Sequence, residues 1–177
     1  VVLGKDAATN ELLIKKYTDK HDIVFHADIQ GAPFAVIKTE GGSPPQSTIA
    51  QTAQFAASYS KAWSRGLGAV DIYYIAPDQV SKTPQPGEYL PKGAFMIYGE
   101  KTFVRAELKI ALGNKNDELI WGTPDTVSSQ TSKLVVLIPG ADKAAGLAKK
   151  IAGILGLRDV DRIQRLIPAG KGQISQS

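Results

Sequence analysis

Seven side chains in this 177-residue sequence combine types and spacings that could do chemistry: Lys5, His26, Asp28, Lys38, Ser81, Lys82 and Thr83. His26 and Asp28 stand two residues apart after an apolar run, so an extended strand puts both on one face beside Val24. A second apolar run, Phe34 to Ile37, ends at Lys38, and Gln30-Gly31-Ala32-Pro33 separates the two. Pairing of the runs would bring Lys38 toward the same edge and make a His–Asp–Lys polar edge on a buried sheet. Such an imidazole can be a structural hydrogen-bonding group, an RNA or phosphate contact, or half of an acid/base pair. Ser81-Lys82-Thr83 lies in a stretch punctuated by proline and glycine, where hydroxyls, an ammonium and free backbone amides suit a phosphate. The loop and the strand pair are expected to form one anion-binding surface.

Catalysis is the weaker reading. A zinc or two-metal site needs more ligands than His26 and Asp28, and His21, five residues away, points to the opposite strand face. The absence of cysteine removes disulfides, cysteine–zinc sites and thiol chemistry together. No G-x-S-x-G nucleophile turn is present. Gly140 to Gly146 follows an apolar strand but lacks the Gly-Lys-Ser/Thr ending of a phosphate loop, so it reads as a plain strand-to-helix turn. The expectation is a non-enzymatic protein with no metal and no cofactor.

A hydrophobic content of 43% supplies a real core and excludes disorder, and the net charge of +4 permits an anionic partner without demanding one. No apolar run approaches the roughly 18 to 20 residues of a membrane span. Val1-Val2-Leu3 begins without a methionine and with no visible leader, so a piece of a longer protein is expected.

These groups need a scaffold, and the expected one is α+β: a mixed sheet with packed helices, plus an αβ extension from about residue 105. Asp6 can cap a helix over about 7–19. Apolar spacing from Ile49 to Trp63 predicts one helix over about 48–65, with Lys61 on its polar stripe. Residues 69–76 read as a strand, 78–93 as an ordered loop, and 94–98 and 102–104 as strands. A hairpin over 107–122 precedes a polar loop at 124–132. Residues 133–138 read as a strand covered on both faces, ended by Pro139-Gly140. Asp142 then caps a helix over 144–155, a short helix lies near 160–166, and the tail is irregular.

Three blocks together resemble the NFACT-R domain of the RqcH/Rqc2/NEMF ribosome-quality-control family. They are Gly4-Lys5-Asp6-Ala7 with Asn10-Glu11; His26-Ala27-Asp28 with Gly31-Ala32; and Gln79 to Thr83 with Gly87-Glu88-Tyr89-Leu90, Gly93, Phe95-Met96-Ile97, Gly99 and Lys101. The resemblance covers about residues 1–104 as the domain, and residues 105–177 resemble the extension of archaeal members. It implies a cytoplasmic, non-catalytic RNA-binding domain of a factor that engages stalled large ribosomal subunits carrying peptidyl-tRNA. Implied partners are the large subunit, tRNA and ribosomal proteins. The alternative is a protein-interaction module, and some relatives carry the name of fibronectin-binding adhesins. Under the resemblance Lys5 and Lys82 pair with phosphate, and Ser81 and Thr83 donate hydrogen bonds. His26, its ring oriented by Asp28, meets a base or ribose, with Lys38 on the same edge. The sequence departs from the family pattern at Ala8, Thr9 and Gln30, and at Tyr98 and Glu100, which stand where relatives are basic.

Overall fold

A computed structural model describes the chain except for Gln30, Gln85, Glu88, Lys92 and Ser177. It opens with a two-residue strand, β1 (Val2–Leu3), and helix α1 (Ala7–Lys16). The Asp6 carboxylate accepts the Thr9 amide at 2.8 Å, and the Thr9 hydroxyl accepts the Asp6 amide at 2.9 Å. This reciprocal cap pairs two donors that a helix start leaves open. Strands β2 (Ile23–Ala27) and β3 (Phe34–Ile37) follow as an antiparallel pair. The helix expected over 48–65 is divided into α2 (Gln46–Ser58) and α3 (Lys61–Ser64). The Ser60 hydroxyl accepts the Ala62 amide at 3.2 Å and restarts the helix in a new direction.

Next come β4 (Ala69–Ile75), a 3-10 turn at Pro77–Gln79, β5 (Val80–Ser81), β6 (Met96–Ile97) and β7 (Thr102–Glu107). Strands β8 (Ile110–Lys115) and β9 (Glu118–Gly122) form the foreseen hairpin. Its tip, Asn116 and Asp117, takes φ of 52° and 65°, the left-handed pair that a tight hairpin turn requires.

Four expectations for the last third are corrected. Residues 124–128 are not loop but helix α4 (Pro124–Ser128), capped by Thr123 with Pro124 in the first turn. Pro139-Gly140 does not end β10 (Leu134–Lys143), because a bulge between Pro139 and Asp142 absorbs the break. Asp142 therefore lies in the strand and pairs with Lys150 at 2.8 Å instead of capping α5 (Ala144–Leu155). After α6 (Val160–Leu166), part of the tail read as irregular forms β11 (Lys171–Ile174) on β10.

The class is α+β. The strands form sheets in the orders β1-β3-β2-β4-β7, β11-β10-β8-β9 and β5-β6. Every described pairing is antiparallel, where a mixed sheet was expected. The α2–α3 connection carries the chain past β2, so β4 runs opposite to β2 on its far side.

One hydrophobic cluster joins Phe25 and Ile72 of the first sheet to Ile110 and Leu137 of the second and Ile151 of α5. Ala53, Ala56 and Ala57 are fully buried within it, small enough to let α2 lie close on the strands. Trp63 Nε1 donates to the Lys171 carbonyl at 3.0 Å, and the Tyr59 hydroxyl donates to the Leu166 carbonyl at 2.6 Å. A smaller cluster on the other face of the first sheet gathers Leu13, Val24, Phe34, Val36, Tyr73 and Ile75. His26 belongs to that face.

Candidate functional site

Register builds the site. His26 lies opposite Phe34 on β3 and Tyr73 on β4, and Tyr73 lies opposite Phe103 on β7. Directly opposed residues share a face, so four rings cross four strands in one row. Their centroids are 4.5, 5.8 and 5.9 Å apart from Phe34 through His26 and Tyr73 to Phe103. Phe95 meets Phe34 edge-on at 5.3 Å. Phe34 is buried, while Phe103 at the sheet edge is 54% exposed and is the most exposed ring of the row.

A cleft of about 510 Å³ opens over the Phe34, His26 and Tyr73 part of this row, bounded by the start of α1 and by α3. His26, Tyr73 and Phe95 line it together with Asn10, Lys5 and Lys61. Lys101 adds a third cation, its Nζ 4.3 Å from the Tyr73 ring centroid. Each lysine is held by local structure. Lys5 precedes the α1 cap. Lys61 opens α3 and crosses Gly31, which has φ of 77°; a Cβ there would lie 2.7 Å from Lys61 Nζ. Lys101 follows a turn clamped by Gln79, whose Nε2 donates to the Tyr98 and Glu100 carbonyls at 2.7 and 2.8 Å. Among the described residues none of these three lysines forms an ion pair, whereas Lys15, Lys38 and Lys82 all do.

Burial holds the His26 imidazole at a pKa of about 4, only partly offset by the Ala32 and Ala27 carbonyls, and Lys101 lowers it further. The ring is neutral at pH 7. Its Nδ1 lies 3.3 Å from the Tyr73 hydroxyl, and either can donate depending on the tautomer. Burial also pushes the Tyr73 hydroxyl up to about 12, with Asp28 adding to the rise. The cleft thus offers neutral rings at its floor and ammonium groups at its rim.

The seven residues singled out from sequence do not form one surface. Lys5 and His26 share the cleft. Asp28 is exposed beyond the end of β2 and its amide donates to the Asp71 carbonyl at 2.9 Å. Tyr73, not Asp28, is the hydrogen-bonding neighbour of His26 among the described residues. Lys38 lies past the Ile23↔Ile37 pair, at the opposite end of the β2–β3 ladder from His26. Its Nζ contacts the carboxylates of Asp19 and Asp22 and the Tyr17 carbonyl. Burial alone would raise the Asp22 carboxyl, but bonds from Lys38 and from the Asp19 and Thr39 amides outweigh it and hold it below the ordinary value.

Lys82 faces a different hollow, about 540 Å³ and lined also by Lys15, Lys20 and Phe95. Its Nζ lies 3.4 Å from Glu11 and 4.5 Å from the Phe95 ring centroid. The Ser81 hydroxyl accepts the Thr83 amide at 3.0 Å, and the Thr83 carbonyl accepts the Tyr98 hydroxyl at 3.2 Å. Phe95 lines both hollows and stands between them.

Sequence reasoning passed over Lys61, Lys101 and Tyr73 as site residues. Lys61 belonged to a solvated helical stripe. Tyr73 carried a usable signal, because adjacent Tyr73 and Tyr74 in a strand must place one ring on each face.

The family described as the NFACT protein RNA binding domain matches residues 1–99, and the chain belongs to that family. An archaeal Rqc2 homolog, aRqcH, from Methanocaldococcus jannaschii is 43% identical over 96% of this chain. The human ribosome quality control complex subunit NEMF is 39% identical over 59% of it. The chain spans 26% and 10% of the lengths of those two relatives. The C-terminal structure of a fibronectin/fibrinogen-binding protein from Streptococcus suis shares the fold, with a TM-score of 0.52 at 23% identity over 73% of this chain and 43% of that one. No helix among the described residues is long and apolar enough to cross a membrane.

Proposed function

We propose that this chain is the non-catalytic RNA-contacting domain of a cytoplasmic ribosome-associated quality-control factor that engages large ribosomal subunits carrying peptidyl-tRNA. The observation that carries this reading is that Lys5 and Lys61 line one ring-floored cleft while Lys101 lies over the Tyr73 ring of its floor, none of the three in an ion pair among the described residues. Unpaired ammonium groups are the ones free to displace counterions from phosphate. Family membership and the names of the relatives support the same reading. Ser81, Lys82 and Thr83 form a secondary contact across Phe95, weakened because Lys82 must first leave Glu11. Asp28 lies outside the cleft's lining, and Lys38 serves the fold instead of the RNA.

The test is a titration with tRNA and with large subunits over several salt concentrations. Each phosphate contact contributes about −0.7 to −0.9 to the slope of log affinity against log salt. Combined alanine substitution of Lys5, Lys61 and Lys101 should weaken binding and flatten the slope by roughly two to three units. Lys82→Ala should have a smaller effect than Lys61→Ala, and Lys150→Ala on α5 should have none. A triple variant that binds like the parent at every salt concentration removes the cleft from RNA binding.

A further inference from the structure

Resting on the RNA-contact reading above, we propose that the site takes single-stranded RNA laid along the ring row, with one unpaired base in the cleft beside His26 and the next on Phe103. Three observations converge on this. The cleft of about 510 Å³ has the size of a pocket for one small ring system and its sugar-phosphate. A base held inside a duplex has its faces covered by its neighbours, and only an unpaired one can be splayed into such a space.

The polarity is divided in the way a nucleotide is divided. His26, Tyr73 and Phe95 line the floor, while Lys5 and Lys61 line the cleft beside them and Lys101 lies over the Tyr73 ring. The neutral imidazole suits a base better than a phosphate. The row then continues outward at 5.9 Å from Tyr73 to Phe103, an exposed side chain with no further ring paired to it among the described residues. Few groups are left to read base identity. Asn10 is committed to the Phe34 amide at 3.1 Å, and Asp6 to its own helix cap. Stacking tolerates every base, so sequence preference should be weak.

The test uses short single-stranded RNAs with one central 2-aminopurine, and blunt duplexes of the same sequence. With the unaltered chain, 2-aminopurine emission in the single strand should change at saturation as the base leaves its neighbours in the strand, and the duplex should bind more weakly. Phe103→Ala changes an exposed side chain and should leave the fold intact. It should lower single-strand affinity roughly 5- to 150-fold, the range for one stacked base, with an unchanged salt slope and unchanged duplex affinity. Lys61→Ala should instead change the slope for both RNAs.

Unchanged emission together with equal single-strand and duplex affinity would overturn the stacking proposal. If the lysine substitutions still flatten the slope, the RNA-contact reading survives that failure. If the lysine substitutions change nothing, or neither RNA binds, the RNA-contact reading falls and the stacking proposal falls with it.

Discussion

Asn10 shows how a side chain that a motif shares with a binding site can serve the scaffold. It is buried on α1, its Oδ1 accepts the Phe34 amide at 3.1 Å, and its Nδ2 lies 3.5 Å from the Ala32 carbonyl. A Cβ on Gly4 would collide with that same Oδ1. The block Gly4 to Glu11 therefore closes α1 onto the start of β3, and of its members Lys5 has a free cation among the described residues. Asn10→Ala should cost about 1–3 kcal/mol, the price of an unpaired buried amide, read as a lower urea midpoint. His26 gives a pH signature. Its folded pKa of about 4 lies below the ordinary 6.5, so between those values the unfolded chain holds a proton that the folded chain does not. Stability should then fall as pH drops from 7 to 5, by up to about 2 kcal/mol from this group. The groups facing the ring are Tyr73, Lys101 and Asp28. His26→Phe should flatten that part of the profile, and an unchanged profile would mean the imidazole is open to water.

At the scale of elements, the β5–β6 ladder and the turn after it set the position of Lys101. The ladder has only two pairs, Val80↔Ile97 and Ser81↔Met96, too few to hold a turn by themselves. Gln79 supplies the rest, accepting the Ala76 amide at 2.9 Å while its Nε2 holds the Tyr98 and Glu100 carbonyls. Gly99, with φ of 75°, sits against that amide, where a Cβ would come within 2.9 Å of Nε2. Gln79→Ala should therefore speed amide hydrogen exchange near residues 97–101 and weaken RNA binding without touching RNA itself. Binding at parental strength with faster exchange would separate the clamp from the site. Gly93 acts similarly on the other wall, since a Cβ there would lie 2.5 Å from Ala7 Cα.

The whole molecule is organised around α2 and α3, which lie between the two larger sheets. Residues from both sheets share one apolar cluster with Trp63, which is 1% exposed. Strand β7 runs from Thr102 to Glu107 and so crosses any boundary drawn after Val104. We propose that residues 105–177 complete the same core instead of forming an independent domain. Cutting after Val104 should remove the partners of Tyr59 and Trp63 and expose the α2–α3 face. The expected outcome is a fragment 1–104 without a cooperative urea transition; unchanged stability would make the extension a separate unit.

What the sequence determined by itself is what short-range patterns encode. Runs of apolar and β-branched residues marked β2, β3 and β4, Asp6 marked the start of α1, and three separated blocks marked the family. The candidate site was legible in part: Lys5 and His26 were found, and the anionic ligand was inferred from hydroxyls and lysines in a loop. Tertiary structure decided which charges remain free. Lys38 and Lys82 are consumed by Asp19, Asp22 and Glu11, which approach them through the β2–β3 register and the docking of α1. Lys61, in the cleft, and Lys101, over Tyr73, both unremarkable in sequence, stand by a row of rings that exists only because four strands align in one register. The same limit hid β11, whose Lys-Gly-Gln-Ile has little apolar alternation and becomes a strand because β10 offers it an open edge. Ion pairing and strand pairing depend on which distant surfaces meet, and no local window of sequence contains that information.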